Sequence, residues 1–273
     1  MSTAKVLLPL IGLAFAVPAS AATWNTTNNI GLTSGSIYCS TTTCQTTASG
    51  LTGSIITMTA YSTPTLQSST TTSPTDTGNW LNANIAIYGG NGVGISNSPQ
   101  GATDTSVPQH AIDNNGVDDI LVVDFGSNNW DVSSFSLGYT CAMNSTASGC
   151  VGSTVNVAAW VGGTSAVNFN TFGGFSGNGA AATLPGFSAL TLSPDPGGSG
   201  MRTDTTVPNP VGRYLVITGD LARYTDSFKV SGITATQSTP PGGTVPLPGT
   251  VPLLGFGLLA MTWASRRRAP ASR

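Results

Sequence analysis

The chain has 273 residues, of which 39% are hydrophobic and 7% are charged, and every acidic residue is Asp. In a typical soluble domain about a quarter of the residues are charged. This chain has far fewer charged residues, so Ser, Thr, Asn, Gln and Gly must cover much of its surface. Gly, Thr and Asn are poor helix formers, so the composition argues against a helical fold and favours an all-β protein. Between Lys5 and Arg266, four basic residues face eleven Asp, a formal charge of −7. The lack of a basic patch argues against a nucleic-acid partner.

The N-terminal 21 residues have the order of a secretory signal peptide. Lys5 precedes an apolar stretch, Val6–Val17, and small residues follow at Ala19 and Ala21. This order predicts cleavage by signal peptidase after Ala21, with residues 1–21 as the signal peptide. The alternative, a buried N-terminal helix, would need polar residues on one face of the apolar stretch, and that stretch has none.

The four cysteines predict two local disulfides. Cys39 and Cys44 enclose "STTT", and Cys141 and Cys150 enclose "AMNSTASG". Export to an oxidising compartment favours such pairing, and the short loops limit each bond to about 2 to 3 kcal/mol of stability. The zinc alternative is weak, because these spacings and a single distant His do not match the usual zinc patterns.

Alternation of apolar and polar residues predicts β-strands in the middle of the chain. The alternating stretches are Ser54–Tyr61, Ser133–Tyr139, Thr154–Val161 and Asp226–Ile233. Ile120–Phe125 and Tyr214–Thr218 are apolar almost throughout, as central strands covered on both faces would be. Clusters of Gly, Asn, Pro and Ser between these stretches indicate turns. We therefore expect a single antiparallel, jelly-roll-like β-sandwich over residues 22–236, with a barrel as the alternative.

The C-terminal part of the chain predicts a linker and a membrane-spanning helix. Residues 237–250 are rich in Pro, Gly and Thr and have the composition of an extended linker. The run from Val245 to Ala264 contains no charged residue over 20 positions, close to the length that crosses a bilayer as a helix. Its prolines, the last at Pro252, restrict the predicted helix to residues 251–264. Trp263 near its end is a residue that prefers the membrane interface.

A basic cluster follows the apolar run. Arg266, Arg267 and Arg268 are consecutive, and the positive-inside rule predicts that they hold residues 265–273 in the cytoplasm. A buried C-terminal strand would not explain an apolar run that ends in three arginines. The predicted topology has the N-terminal domain outside the cytoplasmic membrane, to which the helix anchors it.

The order of linker, Pro-rich motif, apolar helix and Arg cluster resembles the PEP-CTERM sorting signal of Gram-negative bacteria. The motif "VPLPGT" spans Val245, Pro246, Leu247, Pro248, Gly249 and Thr250. In that family, exosortase, a multispanning membrane enzyme, recognises the tail, which implies that the tail is removed. The departure is Leu247, which stands where the name-giving motif has Glu.

A second resemblance lies within the predicted domain. The segments "GGNGVGISN", "PQHAIDNNGVDDILVVDFG", "FSLGY", "RYLVITG" and "DSFKVSGITA" are similar to those of the XDP1-type exosortase-dependent surface proteins. The resemblance spreads over about half of the mature chain. It implies a bacterial surface or extracellular-matrix protein without an assigned chemistry.

His110 is the only histidine, so any acid–base or triad scheme must use it. Asp113, three residues on, could orient the imidazole, which makes a hydrolase one hypothesis. Against it, no Ser lies in a nucleophile motif such as Gly-x-Ser-x-Gly, and glycosidase chemistry usually needs two carboxylates, of which no pair is marked out. The alternative is that His110 caps or hydrogen-bonds a turn before the strand at Ile120–Phe125. On this interpretation, the chain is predicted not to be an enzyme.

Several hard oxygen ligands lie close together and could bind a structural calcium ion. The cluster consists of Asp113, Asn114, Asn115, Asp118 and Asp119. Its spacing does not match the EF-hand loop, and the same residue types form ordinary turns. No cofactor is otherwise indicated.

Aromatic residues could bind polysaccharide if they line an exposed face of the sandwich. The candidates are Trp80, Trp130 and Trp160, although a large aromatic on a strand is more often part of the core. The sequence thus predicts a non-enzymatic protein, exported to the envelope, surface or matrix of a Gram-negative bacterium and associated with exopolysaccharide or biofilm. The alternatives are a carbohydrate-binding β-sandwich module and a hydrolase that uses His110.

Overall fold

The computed structural model describes residues 21–26, 37–40, 42–49, 54–64, 79–88, 90–96, 111–114, 117–126, 129–142, 153–162, 165–171, 183–189, 191–193, 202–204, 212–221 and 226–238. All of them belong to one unit, which ends at Ser238. The predicted helix 251–264 and the basic tail 265–273 lie outside the described residues, as does the signal peptide except for Ala21. Among the residues described, no helix is long and apolar enough to span a membrane.

The described part of the chain forms β-strands and no α-helix. The strands are β1 Ala21–Asn25, β2 Ile37–Cys39, β3 Thr43–Thr47, β4 Ile55–Ser62, β5 Leu81–Asn82, β6 Asn84–Tyr88, β7 Gly92–Ser96, β8 Ile112–Asp113, β9 Asp119–Asp124, β10 Trp130–Ala142, β11 Val155–Ala159, β12 Thr191–Ser193, β13 Arg202–Asp204, β14 Tyr214–Gly219 and β15 Asp226–Gln237. A single 3₁₀ turn is described at Phe169–Thr171. The predicted all-β class is therefore confirmed.

The strands form two sheets, and every described pairing is antiparallel. The first sheet has the order β13-β10-β15-β7-β6, and β1 and β8 also pair with β15. The second sheet has the order β12-β11-β14-β9-β4-β3-β2, and β5 pairs with β4. Neighbours in space are thus often distant in the sequence, which makes the fold dependent on long-range pairing.

The main core draws apolar side chains from both sheets, which fits a β-sandwich. Trp24, Phe135 and Phe228 come from the first sheet, and Met58 and Ile217 come from the second. All five side chains are less than 2% exposed. Because successive side chains of a strand point to opposite faces, the alternation seen in β4 and β15 directs one set of residues into this core.

Two strands of the second sheet are buried on both faces, as the sequence predicts. In β9, Leu121 and Val123 join the main core, while Ile120 and Val122 join a second apolar cluster. In β14 the same division holds, and all six of its residues are buried. Both strands lie in the interior of the sheet order, so their continuous apolar sequence follows from cover on both sides.

The second cluster is defined here as the apolar group on the outer face of the second sheet. Its members are Tyr61, Trp80, Ile120, Val122, Ala158, Phe169, Leu184, Phe187, Tyr214, Val216 and Leu221, with Trp160 and Val167 packed against them. Residues of connecting segments, such as Phe169 and Leu184, cover this face. Because the second cluster is covered by connecting segments, the outer face of the second sheet carries apolar side chains there instead of polar ones.

The six stretches predicted as strands are all strands, with shifts at their ends. The predicted stretch at Ser133–Tyr139 belongs to the longer β10, and Asp226–Ile233 belongs to the longer β15. β10 and β15 pair over almost their whole lengths, with register shifts near Gly138. A Cβ at Gly138 would lie 2.0 Å from the carbonyl oxygen of Asn91, so glycine is needed where the β6–β7 turn crosses β10.

Candidate functional site

The two ends of the folded domain lie side by side. β1 pairs with β15 so that Ala21 is opposite Thr236 and Asn25 is opposite Gly232. The predicted signal-peptidase bond, after Ala21, is therefore next to the point where the predicted linker begins. Ala19, the sorting motif Val245–Thr250 and the three arginines 266–268 lie outside the described residues, so their roles stay predictions.

One predicted disulfide lies at an edge of the second sheet. Cys44 is disulfide-bonded and fully buried, and the β2–β3 register brings Cys39 directly opposite it. Antiparallel neighbours have the separation that a disulfide needs. Cys141 lies on β10 opposite Ser227, but Cys150 is outside the described residues, so the Cys141–Cys150 bond remains a prediction.

Two of the three tryptophans considered for polysaccharide binding are core residues. Trp80 is 1% exposed and Trp130 is 3% exposed. The Trp80 ring stacks on Phe169 with centroids 5.8 Å apart, and Trp130 packs edge-on against Trp24 at 5.0 Å. Neither indole can contact a sugar without unfolding its surroundings, so this part of the carbohydrate hypothesis is wrong.

Trp160, the third candidate, is only partly buried. Its ring lies against two glycines, since a Cβ at either Gly162 or Gly186 would approach ring atoms to 2.3 Å. It also meets Phe187 edge-on with centroids 5.1 Å apart. Its Nε1 is buried and has no hydrogen-bond partner in the structure. Packing of the ring, rather than presentation to a ligand, accounts for this arrangement.

An ion pair borders the second cluster. Arg213 donates from Nε to Asp124 Oδ1 and from Nη2 to Asp124 Oδ2, both at 2.8 Å, and the side chains are 19% and 26% exposed. The hydrogen bond to Asp124 raises the pKa of Arg213 above its ordinary value. The guanidinium also lies 4.9 Å from the Tyr214 ring centroid, a cation–π distance. The pair fixes the end of β9 against the start of β14.

Two tyrosines of the second cluster have raised pKa values. Burial is the main cause for Tyr61, and Tyr214 adds to it. Burial also raises the pKa of Tyr214, while the Val167 N–H that donates to its hydroxyl at 3.1 Å lowers it. Both phenols are therefore neutral over the ordinary pH range and act as packing groups.

The residues considered for calcium binding belong to a buried polar network. Asn114 donates through Nδ2 to the Asp220 carbonyl at 2.8 Å, and its Oδ1 accepts from the Asp226 N–H at 2.9 Å. Asp226 Oδ1 in turn accepts from the Thr154 N–H at 2.9 Å. Asp119 Oδ2 accepts from the Asp113 N–H at 3.4 Å.

This network joins the ends of several strands from both sheets. The members Asn114 and Asp226 are completely buried, and buried polar groups of this kind stabilise a fold when they bond to one another. Within the described residues, no group of three or more His, Cys, Asp or Glu side chains is arranged to hold a metal ion. Asn115 lies outside those residues.

Sequence reasoning missed a neutral face on β3 and β4. The outward side chains pair across the strands, with Thr43 opposite Thr59 and Gln45 opposite Thr57. Gln45 donates from Nε2 to Thr57 Oγ1 at 3.2 Å. The signal was present as Thr at alternate positions, but Thr is common on any strand that faces solvent, so the pattern alone does not mark a site. We call this set, completed by Thr47 and Ile55, the β3–β4 face.

His110 lies outside the described residues, so the hydrolase hypothesis stays a prediction. Its neighbour Ala111 is completely buried, and Asp113, the proposed orienting carboxylate, is 6% exposed. Loss of an activity in His110→Ala would be the direct test.

The fold defines an all-β protein with two antiparallel sheets around a shared core. The chain matches no family model, no curated protein and no solved structure.

Proposed function

We propose that this chain is a non-enzymatic exported protein of a Gram-negative bacterium, cut by signal peptidase at its N-terminus and by an exosortase at its C-terminus. The observation that carries the proposal is the extent of the folded domain. Its described strands run from Ala21, the last residue of the predicted signal peptide, to Gln237, the first residue of the predicted linker. The core residues that the structure describes run from Ala22 to Ala235, inside the predicted mature domain, so we expect this core to remain after both segments are removed. A jelly-roll-like sandwich is the proposed topology.

The charge and surface of the domain support a place in a polysaccharide matrix. Most exposed positions on β3, β4 and β1 are Thr, Gln, Asn or Ala rather than charged residues. A surface of this kind hydrogen-bonds to water and to hydroxyl-rich polymers and responds weakly to salt. We therefore propose the cell surface or the exopolysaccharide matrix as the site of action.

Intact mass of the protein from the cell envelope and from the medium tests the processing. We expect a species that begins at Ala22 and ends near Thr250. Leu247→Glu, which restores the family motif, should give the same product, and Pro246→Ala with Pro248→Ala should leave the tail attached. A wild-type species that retains Arg273 in both fractions would contradict the exosortase proposal. The predicted helix 251–264 would then be interpreted as a permanent membrane anchor.

The β3–β4 face favours a second candidate function, the binding of a neutral polysaccharide. Its six outward side chains carry hydroxyl, amide and methyl groups and no charge, and Ile55 is 50% exposed. Sugar hydroxyls hydrogen-bond to such groups, while the C–H face of a sugar packs on an apolar side chain. The formal charge of −7 over the middle of the chain opposes an acidic polymer.

Affinity electrophoresis in gels that contain the producing cell's polysaccharide tests this candidate. Gln45→Ala with Thr57→Ala should reduce retention several-fold, because these residues are accessible and their loss leaves the core intact. Thr23→Ala with Thr234→Ala, on the outer face of the first sheet, is the matched control and should retain wild-type mobility shifts. Equal retention of both variants would rule out the β3–β4 face.

A further inference from the structure

The first strand of the domain joins the two sheets. The side chains of Ala22 and Trp24 point into the main core and are 1% and 0% exposed. The Trp24 ring contacts Phe125 at a centroid distance of 5.6 Å and Trp130 at 5.0 Å. Its Nε1 donates to the Ser54 carbonyl at 3.2 Å. Removal of β1 would therefore leave a cavity the size of an indole in the core.

The backbone of β1 is held on both edges. On one edge all five residues pair with β15. On the other edge, Thr23 and Ser49 exchange two backbone hydrogen bonds, at 2.8 and 3.3 Å, in the connection between β3 and β4. Thr26, which follows β1, donates its N–H to the Ser231 carbonyl at 3.0 Å. β1 thus lies between a strand of the first sheet and a loop of the second.

β15 depends on β1 for much of its second edge. β10 covers one edge along almost the whole strand. On the other edge, β8 pairs at two positions, β7 at one and β1 at five. Without β1, residues 232–236 would present an open edge, immediately before the segment that leads to the predicted sorting motif.

β1 and its pairing partner β15 lie near opposite ends of the chain. Thr23 and Thr234, whose hydroxyl oxygens lie 3.3 Å apart, are separated by 211 positions. β1 cannot complete its pairing until almost the whole domain has been exported, because β15 is the last strand that the structure describes. Contacts of such long separation also form slowly.

We propose that β1 is a strap that docks last, and that the predicted signal-peptidase bond between Ala21 and Ala22 is open to cleavage only before docking. This inference rests on the proposed export of the chain. In the folded domain Ala21 is paired with Thr236 and Ala22 is buried, so the bond is part of a sheet, and proteases cut exposed extended segments. Removal of the signal peptide therefore precedes closure, and closure then secures the strand from which the C-terminal tail leaves.

The test uses the full-length precursor, folded in detergent micelles and treated with purified signal peptidase. We compare the cleavage rates of wild type, Trp24→Ala and Trp80→Ala. Trp24→Ala weakens the strap and should be cut at least about tenfold faster than wild type. Trp80→Ala removes an equally buried indole that belongs to the second cluster, whereas Trp24 belongs to the main core, so its rate should stay near that of wild type. Equal acceleration in both variants would overturn the proposal, because global unfolding would then explain it.

A disulfide between β1 and β15 provides a second variant, which holds β1 in its docked position and does not depend on destabilising the core. Thr23→Cys with Thr234→Cys links directly opposite residues, at a spacing that a disulfide accepts. The oxidised form should resist cleavage, and a reductant should return the rate to that of wild type under the same reductant. Cleavage of the oxidised form at the wild-type rate would show that undocking is not required.

Two further measurements separate the strap from the export proposal. If precursor freshly diluted from denaturant is not cut after Ala21, the predicted cleavage site is wrong, and the strap is then judged by hydrogen exchange. The amides of Ile233 and Ala235 face β1, because Thr23 between their partners uses its own N–H and C=O on Ser49. These two amides should exchange at least about tenfold faster in Trp24→Ala than in Trp80→Ala. Equal exchange of these amides in the two variants would overturn the proposal that β1 is a strap, whatever the result of the cleavage experiment.

Discussion

At the scale of single residues, Gly92 is required at the point where β7 meets β15. Its φ is +98°, and a Cβ there would lie 2.1 Å from the Val230 carbonyl oxygen. Gly90, two residues before, has a φ of +82°, but a Cβ on this residue would meet no atom within 4 Å. A side chain at Gly90 would therefore cause only backbone strain, whereas a side chain at Gly92 would cause the same strain and also collide with β15.

We expect Gly90→Ala to lower the free energy of unfolding by about 1 kcal/mol, the cost of a left-handed backbone for a residue with a Cβ. Gly92→Ala should lower it by at least about 3 kcal/mol, because β7 must also move away from β15. Urea unfolding followed by tryptophan fluorescence measures both values. Equal losses would mean that the close approach to Val230 does not limit stability.

The raised pKa of Tyr61 predicts a loss of stability in alkali. Burial, and then Tyr214, raise this pKa above the ordinary value of 10.0, so the folded state holds its phenolic proton more tightly than the unfolded state does. The contribution is fully present below pH 10 and is lost as the pH rises through the folded-state pKa. Tyr61→Phe should therefore show a smaller fall in unfolding free energy in alkali than wild type, as measured by urea unfolding at several pH values. Parallel pH curves would contradict the assignment.

At the scale of elements, the β2–β3 hairpin is the edge of the second sheet, and a Cys39–Cys44 disulfide is predicted to hold it. Cys39→Ala with Cys44→Ala should lower the free energy of unfolding by about 2 kcal/mol, since the closed loop is short. Peptide mapping without reduction should recover the two cysteines in one linked fragment in wild type. A fragment that links Cys44 to another cysteine would refute the pairing.

At the scale of the whole molecule, the polar network around Asn114 and Asp226 joins both sheets through hydrogen bonds between protein groups. We expect a chelator to change the melting temperature by less than about 1 °C, because these groups already bond to one another. Asn114→Ala should lower the melting temperature by several degrees, since it leaves the buried Asp226 N–H without its acceptor. A large shift with chelator alone would instead indicate the calcium ion that the Asp and Asn cluster suggested.

Long strands could be predicted from the sequence, and short ones could not. β9 and β14 were evident as continuous apolar runs, and β4 and β15 as alternating ones, because these patterns are local. β1, with the sequence "AATWN", was missed because only Ala22 and Trp24 mark its inner face, too few for a periodic signal. β2 and β8 are too short to produce any periodicity at all.

By itself, the sequence determined the all-β class, the six predicted strands and the pattern that predicts export and sorting, because composition, alternation and apolar length are local properties of a chain. Only the tertiary structure decided that Trp80 and Trp130 are core residues, that Thr and Gln line the β3–β4 face, and that the first strand closes against the last. Burial depends on which face of which sheet a residue occupies and on distant partners, such as Thr23 and Thr234, which are 211 positions apart. No local pattern contains that information, since it arises only when the two sheets pack together.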